Sequence, residues 1–68
     1  MPHIQEVEDA LVRDLRQAER IDNIQAQIDL SAVTTEQLLA QYRVALVPYL
    51  DVLTAQTTEQ RLRRELIT

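Results

Sequence analysis

The chain lacks cysteine, glycine, lysine, tryptophan and phenylalanine, and each absence removes a class of structure or site. Without cysteine there is no disulfide, and the single histidine, His3, cannot form the Cys/His cluster of a structural zinc site. Without glycine, tight hairpin turns and phosphate-binding loops are disfavoured. Because a chain of 68 residues buries only a modest share of its surface, we expect it to self-associate or to belong to a larger protein.

The charge is acidic overall and unevenly spread. The formal net charge is −4, and residues 1–30 hold seven acids against three arginines, whereas residues 31–68 hold four of each. No basic stripe exists, so nucleic acid is not an expected partner. No apolar run approaches the roughly 18 residues of a membrane-spanning helix, so this segment is not expected to span a membrane. The start, "MPHIQEVEDA", lacks the apolar segment of a signal peptide, so we expect any targeting signal to lie outside this chain.

The residues that are abundant point to helices and not to catalysis. Alanine, leucine, glutamine, glutamate and arginine dominate, and all five are good helix formers. No serine–histidine pair or carboxylate pair has the spacing of a catalytic site, so we expect neither enzyme activity nor a cofactor or metal. The sequence therefore predicts an all-α fold that acts through protein contacts.

The first half of the chain carries apolar residues at helical spacing. They are Ile4, Val7, Leu11, Leu15, Ala18, Ile21, Ile24 and Ile28. Their spacings of three and four residues form a narrow stripe, as in a coiled-coil seam. Ser31 and Thr34 are possible helix N-caps, which leaves open a three-helix bundle with a break near 30–34. Since no glycine or proline interrupts this segment, one continuous helix is favoured.

Pro48 is the one strong helix stop, because proline inside a helix costs roughly 3 kcal/mol but is tolerated in the first turn. It predicts an antiparallel helical hairpin with a first helix over about 4–45 and a second over about 48–67. The predicted apolar face of the second helix consists of Leu50, Leu53, Thr57, Gln60, Leu62 and Leu66. Because the second helix is much shorter, we expect the N-terminal half of the first to have no partner within this chain.

Two segments resemble the outer membrane efflux proteins, the TolC-like family. "QEVEDAL" is similar to the family pattern E-V-x-D-A-L, and "QYRVALVPYLDVLTAQ" is similar to Y-x-x-G followed closely by Y-L-D-V-L-D-A-Q. The resemblance covers about residues 4–66 and implies the tip of the second periplasmic hairpin of such a channel. Residues 1–68 would then be one hairpin of a larger trimeric outer membrane protein, with this part in the periplasm.

The resemblance also implies roles for individual residues. The implied surface for docking a periplasmic adaptor (membrane fusion) protein of a tripartite export pump consists of Ala45, Leu46, Val47, Tyr49 and Leu50. Tyr42 matches a tyrosine that helps to close the tunnel entrance in some members, and Asp51 matches an aspartate that makes a cation-selective acidic ring in the trimer.

The chain departs from the family pattern at three of these positions. Ala45 stands where the family pattern has glycine. Val47 stands where some members have a basic residue, and Thr54 stands where some members have a second acid. Because alanine disfavours a left-handed backbone, we expect Ala45 to keep helix-like geometry, or the turn to lie at Leu46 and Val47. The runner-up interpretation is a free-standing, self-associating bundle or coiled-coil module with no role in efflux.

Overall fold

The computed structural model describes residues 4–68, so His3 lies outside the described residues. The chain forms two helices, α1 (Ile4–Arg43) and α2 (Tyr49–Ile67), which pack against each other as an antiparallel hairpin. The hairpin measures 67 × 15 × 11 Å along its principal axes. The predicted all-α hairpin with a long first and a shorter second helix is confirmed. The predicted boundaries were at most two residues too wide.

Helix α1 is continuous through residues 30–34, so the three-helix alternative is wrong. Thr34 and Thr35 do not cap a new helix; their hydroxyls donate to the carbonyl oxygens of Leu30 and Ser31, each at 3.0 Å. This bond to the residue four positions earlier is the arrangement that a threonine adopts inside a helix. Of the two predicted caps, Thr34 therefore satisfies its hydroxyl within α1, and Ser31 lies inside the same continuous helix.

The turn begins with a left-handed residue at Ala45, whose φ is 61°. The Ala45 N–H donates to the Tyr42 carbonyl and the Leu46 N–H donates to the Gln41 carbonyl, both at 2.9 Å. These two bonds form a Schellman motif, which satisfies carbonyls at the end of a helix. The expectation that Ala45 keeps helix-like geometry, or that the turn lies only at Leu46 and Val47, is wrong. The two capping hydrogen bonds favour the left-handed backbone despite the penalty at alanine.

Helix α2 begins one residue later than expected. Pro48 is its N-cap, with extended backbone angles of φ −72° and ψ 154°, and it has no side chain that could cap the helix. The N–H of Asp51 donates to the Pro48 carbonyl at 3.1 Å. Pro48 thus stops α1 from continuing and starts α2 without forfeiting a helical hydrogen bond.

The interface between the helices is narrow and has few fully buried side chains. Ile24, Ile28 and Leu62 are buried together at its base, where the half-buried Leu66 packs against them. Nearer the turn, Val52 is fully buried, at 0% exposure. On α2 the inward-facing residues follow the alternating spacing of three and four that two packed helices require. They are Val52, Ala55, Glu59, Leu62 and Leu66.

The predicted apolar face of α2 is correct only at its C-terminal end. Leu62 and Leu66 face α1, but Leu50, Leu53, Thr57 and Gln60 are exposed. Two stripes of apolar residues run along the first half of α2, and spacing alone does not say which one meets α1. The geometry of the turn decides this, because it sets the rotation at which α2 starts.

Residues 4–19 of α1 project beyond the end of α2, and we call them the N-terminal arm. Arg20 is level with the end of α2, since its guanidinium donates to the Glu65 carbonyl at 3.2 Å. The arm is about 24 Å long at 1.5 Å per residue. Its large apolar side chains are all exposed: Ile4, Val7, Leu11, Val12 and Leu15. The prediction of an unpartnered N-terminal half is confirmed for the arm, whereas Ile24 and Ile28 belong to the hairpin core.

The left-handed conformation of Ala45 predicts that glycine stabilises this position. Ala45→Gly should raise the free energy of unfolding by about 1 kcal/mol, because glycine adopts positive φ without a steric penalty. The measurement is denaturant unfolding followed by helical circular dichroism. The control is Ala26→Gly in the exposed middle of α1, which should lower stability by roughly 0.5–1 kcal/mol. Destabilisation by both changes would contradict the turn geometry.

The burial of Val52 predicts unequal losses of stability at two adjacent positions. Val52→Ala should lower the free energy of unfolding by about 2 kcal/mol, because it removes buried methyl groups and leaves a cavity. Leu53→Ala should cost less than about 1 kcal/mol, since Leu53 is 43% exposed. The same unfolding experiment compares the two variants. A larger loss at Leu53 would mean that the other stripe of α2 faces α1.

Candidate docking tip and entrance residues

The turn presents an apolar surface at the far end of the hairpin, which we call the tip (residues 44–50). Its exposed apolar side chains are Val44, Leu46, Tyr49 and Leu50. Leu46 is the most exposed of them, at 73%. Ala45 is also exposed, whereas Val47 is half-buried. The structure therefore brings the five predicted docking residues to one end of the molecule. An exposed apolar cluster of this kind is typical of a protein-binding surface.

A shallow open hollow lies on one side of the tip. Its lining residues are Tyr42, Arg43, Ala45, Leu46, Val47 and Pro48. Arg43 is the last residue of α1, where a positive charge interacts favourably with the helix dipole. The resemblance to the TolC-like family implied a basic residue at the position of Val47 in some members; in this chain the basic residue beside the hollow is Arg43. The tip is thus apolar with one adjacent cation.

Tyr42 and Tyr49 pack against each other across the turn. Their ring centroids are 5.0 Å apart and the ring planes are tilted by 49°. This geometry is within the favourable range for aromatic pairs, which contribute about 0.5–1.5 kcal/mol beyond their buried area. The pair joins the last turn of α1 to the first turn of α2. Tyr42 therefore has a structural role within the hairpin, and the residue is still 42% exposed.

Asp51 directly follows the tip and faces a different hollow, on the flank of the hairpin. It is half-buried in the first turn of α2 and lines a small hollow with Leu38, Thr54 and Ala55. A carboxylate in the first turn is stabilised by the helix dipole. The hydroxyl of Thr54 donates to the Leu50 carbonyl at 2.9 Å, so it is occupied within its own helix. The structure does not bring Asp51 and Tyr42 into one hollow.

A groove between the two helices continues from the Asp51 hollow toward the base of the hairpin, and we call it the side groove. Its lining residues are Gln27, Leu30, Ser31, Thr34, Ala55, Thr58 and Leu62. The hydroxyls of Thr34 and Thr58 donate to carbonyls four residues earlier in their own helices. Small side chains with satisfied hydroxyls let another helix approach closely. This groove was not predicted from the sequence, although its small residues, such as Ser31 and Ala55, are visible there.

Val44 and Arg43 were also missed as parts of the tip. The signal for Val44 was present, because it belongs to the same apolar run as Leu46 and Val47. Arg43 could not be placed from sequence, since its position beside the hollow depends on where α1 ends. Val44 was therefore predictable from the sequence, whereas Arg43 was not.

The described residues contain no cluster of acids or histidines that could hold a metal ion. Over residues 4–68, neither helix has an apolar stretch long enough to cross a membrane. When the chain was compared with models of known protein families, with curated proteins and with solved structures, no match was found. The resemblance to TolC-like proteins thus rests on the residues quoted above.

The contact between the two tyrosines predicts a measurable coupling. We expect the stability losses of Tyr42→Ala and Tyr49→Ala to deviate from additivity by about 0.5–1.5 kcal/mol in the double variant. The measurement is a double-mutant cycle of unfolding free energies. The control cycle combines Tyr42→Ala with Ile67→Ala, because Ile67 lies at the opposite end of α2 and should be additive. Equal coupling in both cycles would argue against a specific ring contact.

Proposed function

We propose that this chain is a periplasmic hairpin of a TolC-like outer membrane efflux channel. In this role it contributes to the tunnel entrance, and its tip docks to a periplasmic adaptor of an export pump. It acts by protein contact and gating, without catalysis or a cofactor. In the parent channel the hairpin belongs to a trimer.

The backbone of Ala45 is the observation that carries the proposal. The family pattern has glycine at the position that Ala45 occupies in the resemblance. Among the described residues, Ala45 alone has a positive φ, which is the conformation that glycine adopts at least cost. The residue that aligns with the family glycine in the resemblance therefore has a backbone conformation that favours glycine. The agreement supports the alignment of this turn with the family tip.

The form of the tip supports docking to another protein. The apolar residues at 44–50 are exposed at the end of a narrow rod and do not form the centre of a core. A protrusion of this shape can reach a partner's hairpin tip, where apolar side chains are buried on contact. The side groove supports the second part of the proposal, because small residues favour close packing of neighbouring helices in a tunnel wall.

The entrance roles of Tyr42 and Asp51 are part of the same proposal. Both side chains retain solvent exposure, so a neighbouring hairpin can reach them. Asp51 supplies one carboxylate per chain, and three copies around a tunnel axis would make an acidic ring that favours cations. Thr54 adds no charge to this ring, so the ring would be weaker than in members with a second acid.

The alternative function is a self-associating helical module with no role in efflux. The observation that favours it is the exposed apolar stripe of the N-terminal arm, which no other part of this chain covers. The two functions differ in which surface binds: an efflux hairpin uses the tip, whereas a module of this kind uses the arm.

The docking proposal predicts that a charge at the tip abolishes adaptor binding. The full chain is cross-linked with the purified α-hairpins of several periplasmic adaptor proteins, and each yield is compared with that of Leu46→Asp. The matched control is Leu30→Asp, because Leu30 is 70% exposed, close to the 73% of Leu46, but lies in the side groove. We expect Leu46→Asp to reduce capture at least about tenfold, since the aspartate would be desolvated in the contact.

The outcome of this comparison is decisive in either direction. Loss of capture with Leu46→Asp and retention with Leu30→Asp support docking through the tip. If no adaptor hairpin is captured, or if Leu46→Asp binds as well as the unmodified chain, docking through the tip is wrong.

A further inference from the structure

The N-terminal arm carries an apolar stripe whose spacing is symmetric about its central residue. The stripe consists of Ile4, Val7, Leu11, Leu15 and Ala18, separated by three, four, four and three residues. All five side chains are exposed. When two such helices run antiparallel with Leu11 facing Leu11, Val7 lies opposite Leu15 and Ile4 lies opposite Ala18. A stripe of this kind is complementary to itself under a two-fold axis, as an isologous contact requires.

The stripe is widest at the centre of this symmetry. Ala10 and Val12 flank Leu11 in the sequence, so the apolar surface spreads to both sides of the helix at that level. Elsewhere the flanks of the stripe are polar, with Glu8, Asp14 and Gln17 among them. The centre of a symmetric contact is where side chains lose most water, and apolar residues belong there.

Most of the arm's charges lie on the opposite side of the helix. Glu6, Asp9, Arg13 and Arg16 line one shallow hollow along the back of the arm, and Val12 lies at its edge. Asp9 and Arg13 are two residues from Leu11, and two residues correspond to about 200° around an α-helix. The stripe can therefore be covered without burying these charges, so the contact avoids the cost of desolvating them.

The order of the charges favours an antiparallel second copy. Residues 4–10 contain three acids and no base, whereas residues 12–18 contain two arginines and one acid. Antiparallel pairing about Leu11 brings the acidic half of each arm beside the half with the two arginines. Parallel pairing would bring the two acidic halves together, with repulsion between them and between parallel helix dipoles.

We infer that the N-terminal arms of two copies of this chain pair antiparallel about Leu11. The pairing uses a surface separate from the tip, so it does not rest on adaptor docking. It also assigns a defined interface to the self-associating alternative. The two hairpin bodies project in opposite directions from the paired arms, and both tips remain free.

The oligomeric state tests the pairing directly. Sedimentation equilibrium of the full chain, up to millimolar concentrations, should show a monomer–dimer equilibrium. Leu11→Glu should weaken the dimer at least about tenfold, because two carboxylates would meet at the two-fold axis. Val33→Glu should leave it unchanged, since Val33 is also exposed, at 50%, but lies outside both the arm and the side groove. A monomer at all concentrations, a trimer, or equal effects of the two variants would overturn the inference.

Introduced cysteines test the direction of the pairing, and the chain has no cysteine of its own to interfere. When Val7→Cys and Leu15→Cys proteins are mixed and oxidised, the heterodisulfide should dominate. Identical positions would lie about 12 Å apart along the axis, which exceeds the Cα separation of about 4.4–6.8 Å that a disulfide needs. Predominant pairing between identical positions would indicate parallel arms and would contradict the inference.

These experiments can contradict arm pairing without contradicting adaptor docking through the tip, and the reverse. Loss of the dimer in Leu11→Glu, with adaptor capture retained, supports separate surfaces. If the chain is monomeric and Leu11→Glu abolishes capture of an adaptor hairpin, the stripe binds the adaptor and the inference of a second copy is wrong. Helical circular dichroism of each variant shows whether the hairpin body, whose core lies outside the arm, remains folded.

Discussion

The left-handed backbone at Ala45 is the constraint on which the rest of the hairpin depends. It ends α1 with two hydrogen bonds to the carbonyls of Gln41 and Tyr42, and it redirects the chain toward Pro48. The turn also sets the rotation of α2 about its own axis. One consequence is that Val52 faces α1 and Leu53 does not. Another is that the two tyrosine rings meet across the turn. A rotation of α2 by one residue would expose Val52 and bury a different set of side chains.

The interface that this turn produces is narrow, and this explains the uneven distribution of exposed apolar surface. Ile24, Ile28 and Leu62 are buried together, but between them and Val52 the contact is made largely by small or polar side chains. Two helices in contact can bury only one stripe each. Exposed apolar residues form clusters at the tip and on the arm, at opposite ends of α1, whereas those on the hairpin body, such as Leu30 and Ile67, are scattered. These two clusters are the surfaces to which we assign adaptor docking and pairing with a second copy, and they are separated by the length of the hairpin body.

Much of the fold followed from local physical rules. The helical spacing of the apolar residues, the absence of glycine and the position of Pro48 predicted two helices and a turn between them. The location of the tip residues was predicted as well, because any residue next to the turn must lie at one end of the hairpin. The side of α2 that packs against α1 could not be predicted, since Leu50 and Leu53 have the same helical period as the residues that face α1. Arg43 and the side groove were missed for a related reason: each depends on how the two helices are placed relative to each other.

The sequence by itself determined the helical class, the unequal helix lengths and the exposed stripe of the arm, and it favoured a continuous α1 while leaving a break near 30–34 open, because these features depend on residues close together in the chain. Only the tertiary structure decided the conformation of Ala45, the burial of Val52 and the pairing of Tyr42 with Tyr49. Alanine normally avoids positive φ, so no local rule selects that conformation. It is adopted because two capping hydrogen bonds and the packing of α2 against α1 together stabilise a turn that the isolated segment would disfavour.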